Sequence, residues 1–456
     1  MERKRRMPER IDAMFSTAEM AETFSLEAHV RGILAFEAAF ARAEARAGII
    51  PQEAADIITN SCRESVFDIA ALYREAEASG TPVIPLVRML SEQIGDDAKK
   101  YVHWGTTSQD AIDTSLMLQM RDGIDLLVNR LLDVCEECEK LAEQYRNTLM
   151  AGRTLMQQAV PITFGLKAAR WLAMAVRQLS ALQEHRERSL AVQLGGAAGT
   201  LASLGDKGIQ VQVFLADELG LPAPDLPWHS ERDRIAEIAG TLGVIAGAMA
   251  KIASDVAHLA QTEIGEASEG AMPGKGGSSA MPQKHNPVDA AFAIASARLA
   301  IGEVSVILSA TTQEHERAVG GWQAEWVAIP NLFRYTSGSV EHVLGMIRGL
   351  KIDPVRMSTN LELTKGLIMA ESLTMTLAPH LGRPEAQRFV KALCDRAITL
   401  GVHLREVVLK EDSVLNILSV EEVDHAFDPG AYLGSTNVFI DNALKAYREA
   451  KAFCDV

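Results

Sequence analysis

Apolar residues recur along this chain at steps of three and four. Leu116, Met120, Ile124, Leu127, Leu131, Val134, Cys138 and Leu141 form one stripe, which predicts an amphipathic helix of about seven turns. Ile238, Leu242, Ile245, Met249, Ile252, Val256 and Leu259 form a second. Pro161 to about Leu190 predicts a third long helix, the run after Pro287 a fourth, and Pro330 to Leu350 a fifth. Steps of this kind, sustained over such lengths, fit near-parallel bundle packing, so the expected class is all-α with a long central helical bundle. Gly240, Gly243, Ala246 and Gly247 would let helix backbones come close. Apolar positions spread so widely predict burial on more than one side, hence self-association.

The stretches on either side are more broken. Phe24-Ser25-Leu26-Glu27 offers a helix N-cap, and Ile49-Ile50-Pro51 ends that segment after Gly48. Further breaks stand at Gly382-Arg383-Pro384 and Asp428-Pro429-Gly430. The expected division is residues 1–110, an N-terminal helical domain; 111–353, the long-helix domain; and 354–456, a C-terminal helical domain.

Between two of the long helices lies Gly274-Lys275-Gly276-Gly277-Ser278-Ser279-Ala280-Met281-Pro282-Gln283-Lys284-His285-Asn286-Pro287. Glycines let backbone N–H groups turn inward around an anion. Asn286-Pro287 reads as an N-cap with proline at the first helical position, so the loop would end at the positive end of a helix dipole. A serine hydroxyl becomes a useful base only where its alkoxide is stabilised, and Lys284, the loop amides and that helix end could each do so on a closing lid. Taken by composition alone, the stretch reads first as a flexible interhelical linker. A phosphate-binding P-loop is excluded: the glycine spacing is one residue short, and Gly276 follows the lysine where Ser or Thr is needed.

The run Ser278 to Pro287 resembles the signature of the fumarase/aspartase superfamily. This resemblance implies a three-domain fold, a cofactor-free and metal-free site, and a homotetramer whose active sites are shared between subunits. It implies Ser278 as the catalytic base, with Lys284 and Asn286 on a substrate carboxylate and Ser279 and Met281 beside it. Two more regions of the family follow the expected order. In Tyr101-Val102-His103-Trp104-Gly105-Thr106-Thr107-Ser108-Gln109-Asp110, the hydroxyls and Asp110 could cap a helix or bind an anion. By resemblance Thr107 and Ser108 hold substrate, and His103 is an acid or orients one. In Gly152-Arg153-Thr154-Leu155-Met156-Gln157-Gln158, the resemblance assigns substrate contact to Arg153, Thr154 and Gln157.

Leu155 departs from the pattern, because many of these lyases carry a proton-donating histidine directly after the threonine. Leucine carries no proton, so a leaving amine or hydroxide would need another acid. Gln313-Glu314-His315-Glu316-Arg317 and Gly321-Trp322-Gln323-Ala324-Glu325-Trp326 resemble the 3-carboxy-cis,cis-muconate cycloisomerase branch, with His315 and Arg317 as cations for a tricarboxylate. Trp228-His229-Ser230-Glu231-Arg232-Asp233 offers Arg232 as a carboxylate clamp or a helix-end ion pair. The resemblance spans nearly the whole chain. It implies lactonisation of the muconate tricarboxylate; a lyase releasing fumarate from a substituted succinate and an inactive structural homologue are the alternatives. Gln193-Leu194-Gly195-Gly196-Ala197-Ala198-Gly199-Thr200 reads as a close-packed turn or a substrate contact.

Composition narrows this little. A net charge of −15 argues against a nucleic-acid partner. Five cysteines, with Cys135 and Cys138 inside a helical stripe, suggest a reducing compartment and packing rather than metal or redox chemistry. No uninterrupted apolar run reaches membrane-spanning length, so the expectation is a cytoplasmic enzyme acting on a small anionic carboxylate.

Overall fold

The computed structural model describes residues 11–270, 276–277 and 280–454, with the backbone alone for residues 12, 13 and 454. It is all-α: among the described residues, strands form only two two-stranded sheets. The chain divides into two compact units. Met1–Arg130, Gln178–Ala250 and Phe292–Glu341 make the first; Leu131–Arg177, Lys251–Ala291 and His342–Val456 make the second. The division falls within the long bundle helices, so each of those contributes residues to both units.

Helix α1 (Leu26–Arg46) starts at Ser25, whose hydroxyl accepts the Ala28 N–H at 3.1 Å, and ends before Gly48 at φ 71°. Helix α2 (Ser108–Gln144) carries the first stripe and α4 (Asp233–Leu259) the second, and every stripe residue is buried. Helix α3 (Phe164–Arg188) begins three residues after Pro161, because that proline lies in a strand. Helix α5 (Val288–Ala310) follows Pro287, whose carbonyl accepts the Ala291 N–H at 3.0 Å, so the proline takes the cap position expected of Asn286 and not the first helical position. Helix α6 (Gly321–Arg348) starts well before Pro330, which sits inside it.

The first unit's core joins Phe36, Phe40, Met120, Ile124, Ile238, Leu242, Ile245 and Phe333. Of the small residues on α4, Gly243 makes room for a neighbouring side chain: a Cβ there would stand 2.9 Å from the Val304 side chain on α5, whereas at Gly240 or Gly247 it would meet nothing within 4 Å. Helices α4 and α5 are long and apolar enough to cross a membrane by length and composition alone. Charges interrupt both, at Lys251 and Asp255 in α4 and at Arg298 and Glu303 in α5.

In the second unit, strands β1 (Leu149–Thr154) and β2 (Gln157–Thr163) form a hairpin that the sequence reading did not anticipate. Both strands of a two-stranded sheet are edges, so Pro161 is tolerated there. A short pair, β3 (Ala267–Ser268) with β4 (Lys351–Ile352), stands just before the serine-bearing segment. Farther on, Leu373, Leu377, Val390, Leu393, Val407 and Val423 pack into a separate core, with the predicted break at Gly382 realised at φ 77°.

Candidate active site

In the first unit, four segments converge on the start of α2, and Asp110 is the hub. Its buried carboxylate accepts from the Thr106 hydroxyl (3.0 Å), the Thr107 N–H (3.1 Å), the Gly195 and Gly196 N–H groups (both 2.9 Å) and His229 Nε2 (2.7 Å). Such a set satisfies a buried carboxylate and fixes the hydroxyl-rich turn before the helix. The glycine-rich loop is thus a packing device. A Cβ at Gly195 would stand 2.8 Å from His229, and Gly196 holds φ 69°.

This framework leaves the two expected substrate ligands available. Thr107 and Ser108 are half-buried, and among the described residues neither side-chain hydroxyl has a hydrogen-bond partner. His103 stands on the same turn, at φ 58°. Its Nδ1 pairs with the buried Glu37 carboxylate at 2.6 Å. Burial draws the imidazolium down, but the charge and hydrogen bond of Glu37, with the charge of Asp110, outweigh it, so the His103 pKa stands above its ordinary value. Glu37 was missed from sequence. Its only signal was a carboxylate among the inward-facing positions of α1.

Arg232 has partners other than substrate. Fully buried, it forks onto Asp113 of α2 (2.7 and 3.1 Å) and reaches Glu325 of α6 (3.1 Å). Trp322 Nε1 and Gln109 Nε2 also donate to Asp113, at 2.9 and 3.2 Å. Burial opposes the guanidinium charge, yet the two carboxylates overcome it and hold the Arg232 pKa up. Glu325 is itself pushed up, by burial first and by Asp113 as well, since two acids share one base. Arg317 donates to Gln109 Oε1 (3.0 Å) and to the Ala197 carbonyl (3.2 Å), which ties its segment to the α2 turn. His315 is exposed at φ 50°, and its carbonyl accepts from the Ser230 hydroxyl at 2.6 Å.

The second unit holds the remaining expected residues. Arg153 forks onto buried Glu266 at 2.9 and 2.6 Å, and Asn360 Nδ2 donates to the same carboxylate at 2.8 Å. Arg153 is therefore occupied by the protein's own acid. Thr154 and Gln157 pair at the tip of the hairpin, either side of Leu155 and Met156. These two turn residues hold φ 48° and 65°, and Leu155 is 98% exposed. Met281 and Lys284 are exposed and Asn286 half-buried. Ser278 and Ser279 lie outside the described residues. On either side of them, Gly277 bridges His285, and the Asn286 N–H donates to the Gly276 carbonyl at 2.8 Å. The N–H groups at the start of α5 donate to Glu269, whose carboxylate stands where an external anion was expected.

Cys135 and Cys138 are buried, and burial pushes the Cys138 thiol up to about 12, as suits packing rather than reactivity.

An all-α chain with these long helices and a Ser-Ser-Ala-Met-Pro segment between two of them defines a helical lyase of the fumarase/aspartase type. The chain belongs to that family: the family described as lyase matches residues 7–302, and the one described as adenylosuccinate lyase C-terminus matches residues 366–443. It is 44% identical to a 3-carboxy-cis,cis-muconate cycloisomerase of Bradyrhizobium diazoefficiens, over 94% of this chain and 96% of the relative. It is also 44% identical to one of Pseudomonas aeruginosa, over 95% of each. The solved 3-carboxy-cis,cis-muconate lactonizing enzyme from Pseudomonas putida superposes with a TM-score of 0.90 at 40% identity, covering 96% of this chain and 99% of that one.

Proposed function

We propose that this chain lactonises 3-carboxy-cis,cis-muconate to a carboxymuconolactone, in the cytoplasm, as a homotetramer with active sites shared between subunits. The observation that carries this reading is the near full-length similarity to enzymes of that name. In the reaction a substrate carboxylate oxygen forms a C–O bond to one alkene carbon, and a proton is placed on the neighbouring carbon through an enolate-like intermediate. Ser278 moves that proton. In the reverse direction the leaving group is a carboxylate, which departs without protonation more readily than an amine or hydroxide. The exposed Leu155, where other branches carry histidine, is compatible with this chemistry.

Thr107 and Ser108 donate to one substrate carboxylate, while Lys284 and Asn286 hold another. His103 presents its Nε2 edge, with Glu37 on Nδ1 orienting the ring and favouring its protonated form. Each preorganised donor aimed at developing charge supplies roughly 3 kcal/mol, so a few suffice for a large acceleration. Arg317 adds positive charge beside His315, whereas Arg153 and Arg232 serve as positioning residues through Glu266, Asp113 and Glu325. The separate core around Leu373 to Val423 supports the proposed C-terminal domain at 354–456. The net charge of −15 supports a reading without nucleic acid, and the charges within α4 and α5 one without a membrane.

Replacing Ser278 by alanine tests the assignment. Loss of the muconate's ultraviolet absorbance is expected to slow by at least about a thousandfold, with the fold and assembly unchanged. Turnover near that of the parent enzyme would remove Ser278 from the mechanism.

A further inference from the structure

The serine-bearing segment runs between β3 and α5, and its two ends are joined by one side chain. Glu269 is the second residue before the start of the undescribed stretch at 271–275. Its carboxylate accepts the Ala290 N–H at 2.8 Å through one oxygen and the Asp289 N–H at 3.1 Å through the other. These are first-turn amides of α5, which have no partner within the helix. A charged acceptor at the positive end of the dipole is a strong version of a helix cap, here supplied from across the segment rather than from the chain just before the helix.

Both sides of this clasp are anchored. Before the segment, β3 pairs with β4, and Gly270 packs so closely on Gly349 that a Cβ would stand 2.6 Å from its carbonyl oxygen. After the segment, Asp289 Oδ1 contacts His342 Nδ1 of α6 at 3.2 Å, and Gly345 packs against the same carboxylate. Between the anchors, Gly276 and Gly277 pair with Asn286 and His285, and Ser278 is the next residue in sequence.

We infer that Glu269 is a positioning residue for the serine-bearing segment, its two carboxylate oxygens holding the α5 end of that segment to the β3 end. The inference rests on the reading of Ser278 as the proton-moving group. Replacement by glutamine keeps the shape of the side chain but removes its charge and one of its two acceptors. A displacement of about 1 Å at a reacting group can cost about a hundredfold in rate. The clasp also shields two amides from exchange, a consequence independent of catalysis.

The test is Glu269→Gln in the full-length protein. Steady-state kinetics with 3-carboxy-cis,cis-muconate and hydrogen exchange read by mass spectrometry are measured together. The expected result is a kcat lower by about 10- to 100-fold with KM within about threefold, and faster exchange confined to peptides covering residues 276–290. A kcat within about twofold of the parent, or a lower kcat with unchanged exchange in those peptides, overturns the inference. If the glutamine variant does not fold, Glu269→Asp is read by the same two measurements, since its shorter side chain cannot span both amides. Ser278→Ala separates the two ideas. Full turnover in that variant sinks the serine assignment, while the exchange data on Glu269→Gln still decide whether the clasp holds the segment.

Discussion

Glu44 shows most directly how burial sets the behaviour of one side chain. It lies on the buried face of α1 with both carboxyl oxygens unpartnered among the described residues, and burial, followed by the charge of Glu37, pushes its pKa up to about 9. The folded state therefore keeps a proton that the unfolded chain, with a value near 4.5, releases. Stability is undiminished below pH 4.5 and falls as pH rises towards 9, by about 3 kcal/mol at pH 7. Glu44→Met removes the titrating group at similar volume. It is expected to raise the thermal midpoint, and by more at pH 8 than at pH 5. A gap between variant and parent that does not widen with pH would show that Glu44 is ionised in the fold. His103 follows the same sign: its raised pKa gives stability that is complete below about pH 6.5 and fades as pH climbs through the folded value.

Between elements, the decisive tie is Arg232, which fastens α2 to α6 through Asp113 and Glu325. Arg232→Met would strand two buried carboxylates, and removing one member of such a group costs about 3–5 kcal/mol. Denaturant unfolding should show that loss; a change under about 1 kcal/mol would mean that the fork contributes no net stability. From sequence, Arg232 was equally a substrate clamp and a helix-end pair, because its partners lie 119 and 93 residues away. The hairpin was illegible for a related reason. Two-residue turns with positive φ favour Asn and Gly, and Leu155 and Met156 are poor signals for one. Pro161 fits a first helical position and an edge strand equally well, so local chemistry alone could not choose.

At the scale of the whole molecule, α5 presents Leu299, Val306 and Leu308 to solvent, with Gly302 meeting nothing nearby. On α4, Val244 is exposed between Gly240 and Gly247, which also face open space. Apolar and small residues in this arrangement suit a helix of a second copy, as patches of this kind mark contact surfaces. Arg298 and Glu303 within the same helix weigh against a lipid environment. Val306→Glu is expected to yield a smaller species in light scattering and to lower turnover by about tenfold or more at equal protein concentration. An intact assembly with unchanged turnover would place the contact elsewhere.

The sequence by itself determined the long helices, the buried stripes, the Ser25 cap and the motif that marks the family. Each of these is written in short-range periodicity or in consecutive residues. Tertiary structure alone decided which charges are spoken for. Glu37 reaches His103 across 66 residues, and Arg153 reaches Glu266 across 113. The physical reason is that a buried charge must be paired, and the fold, rather than proximity in sequence, determines which partner it meets.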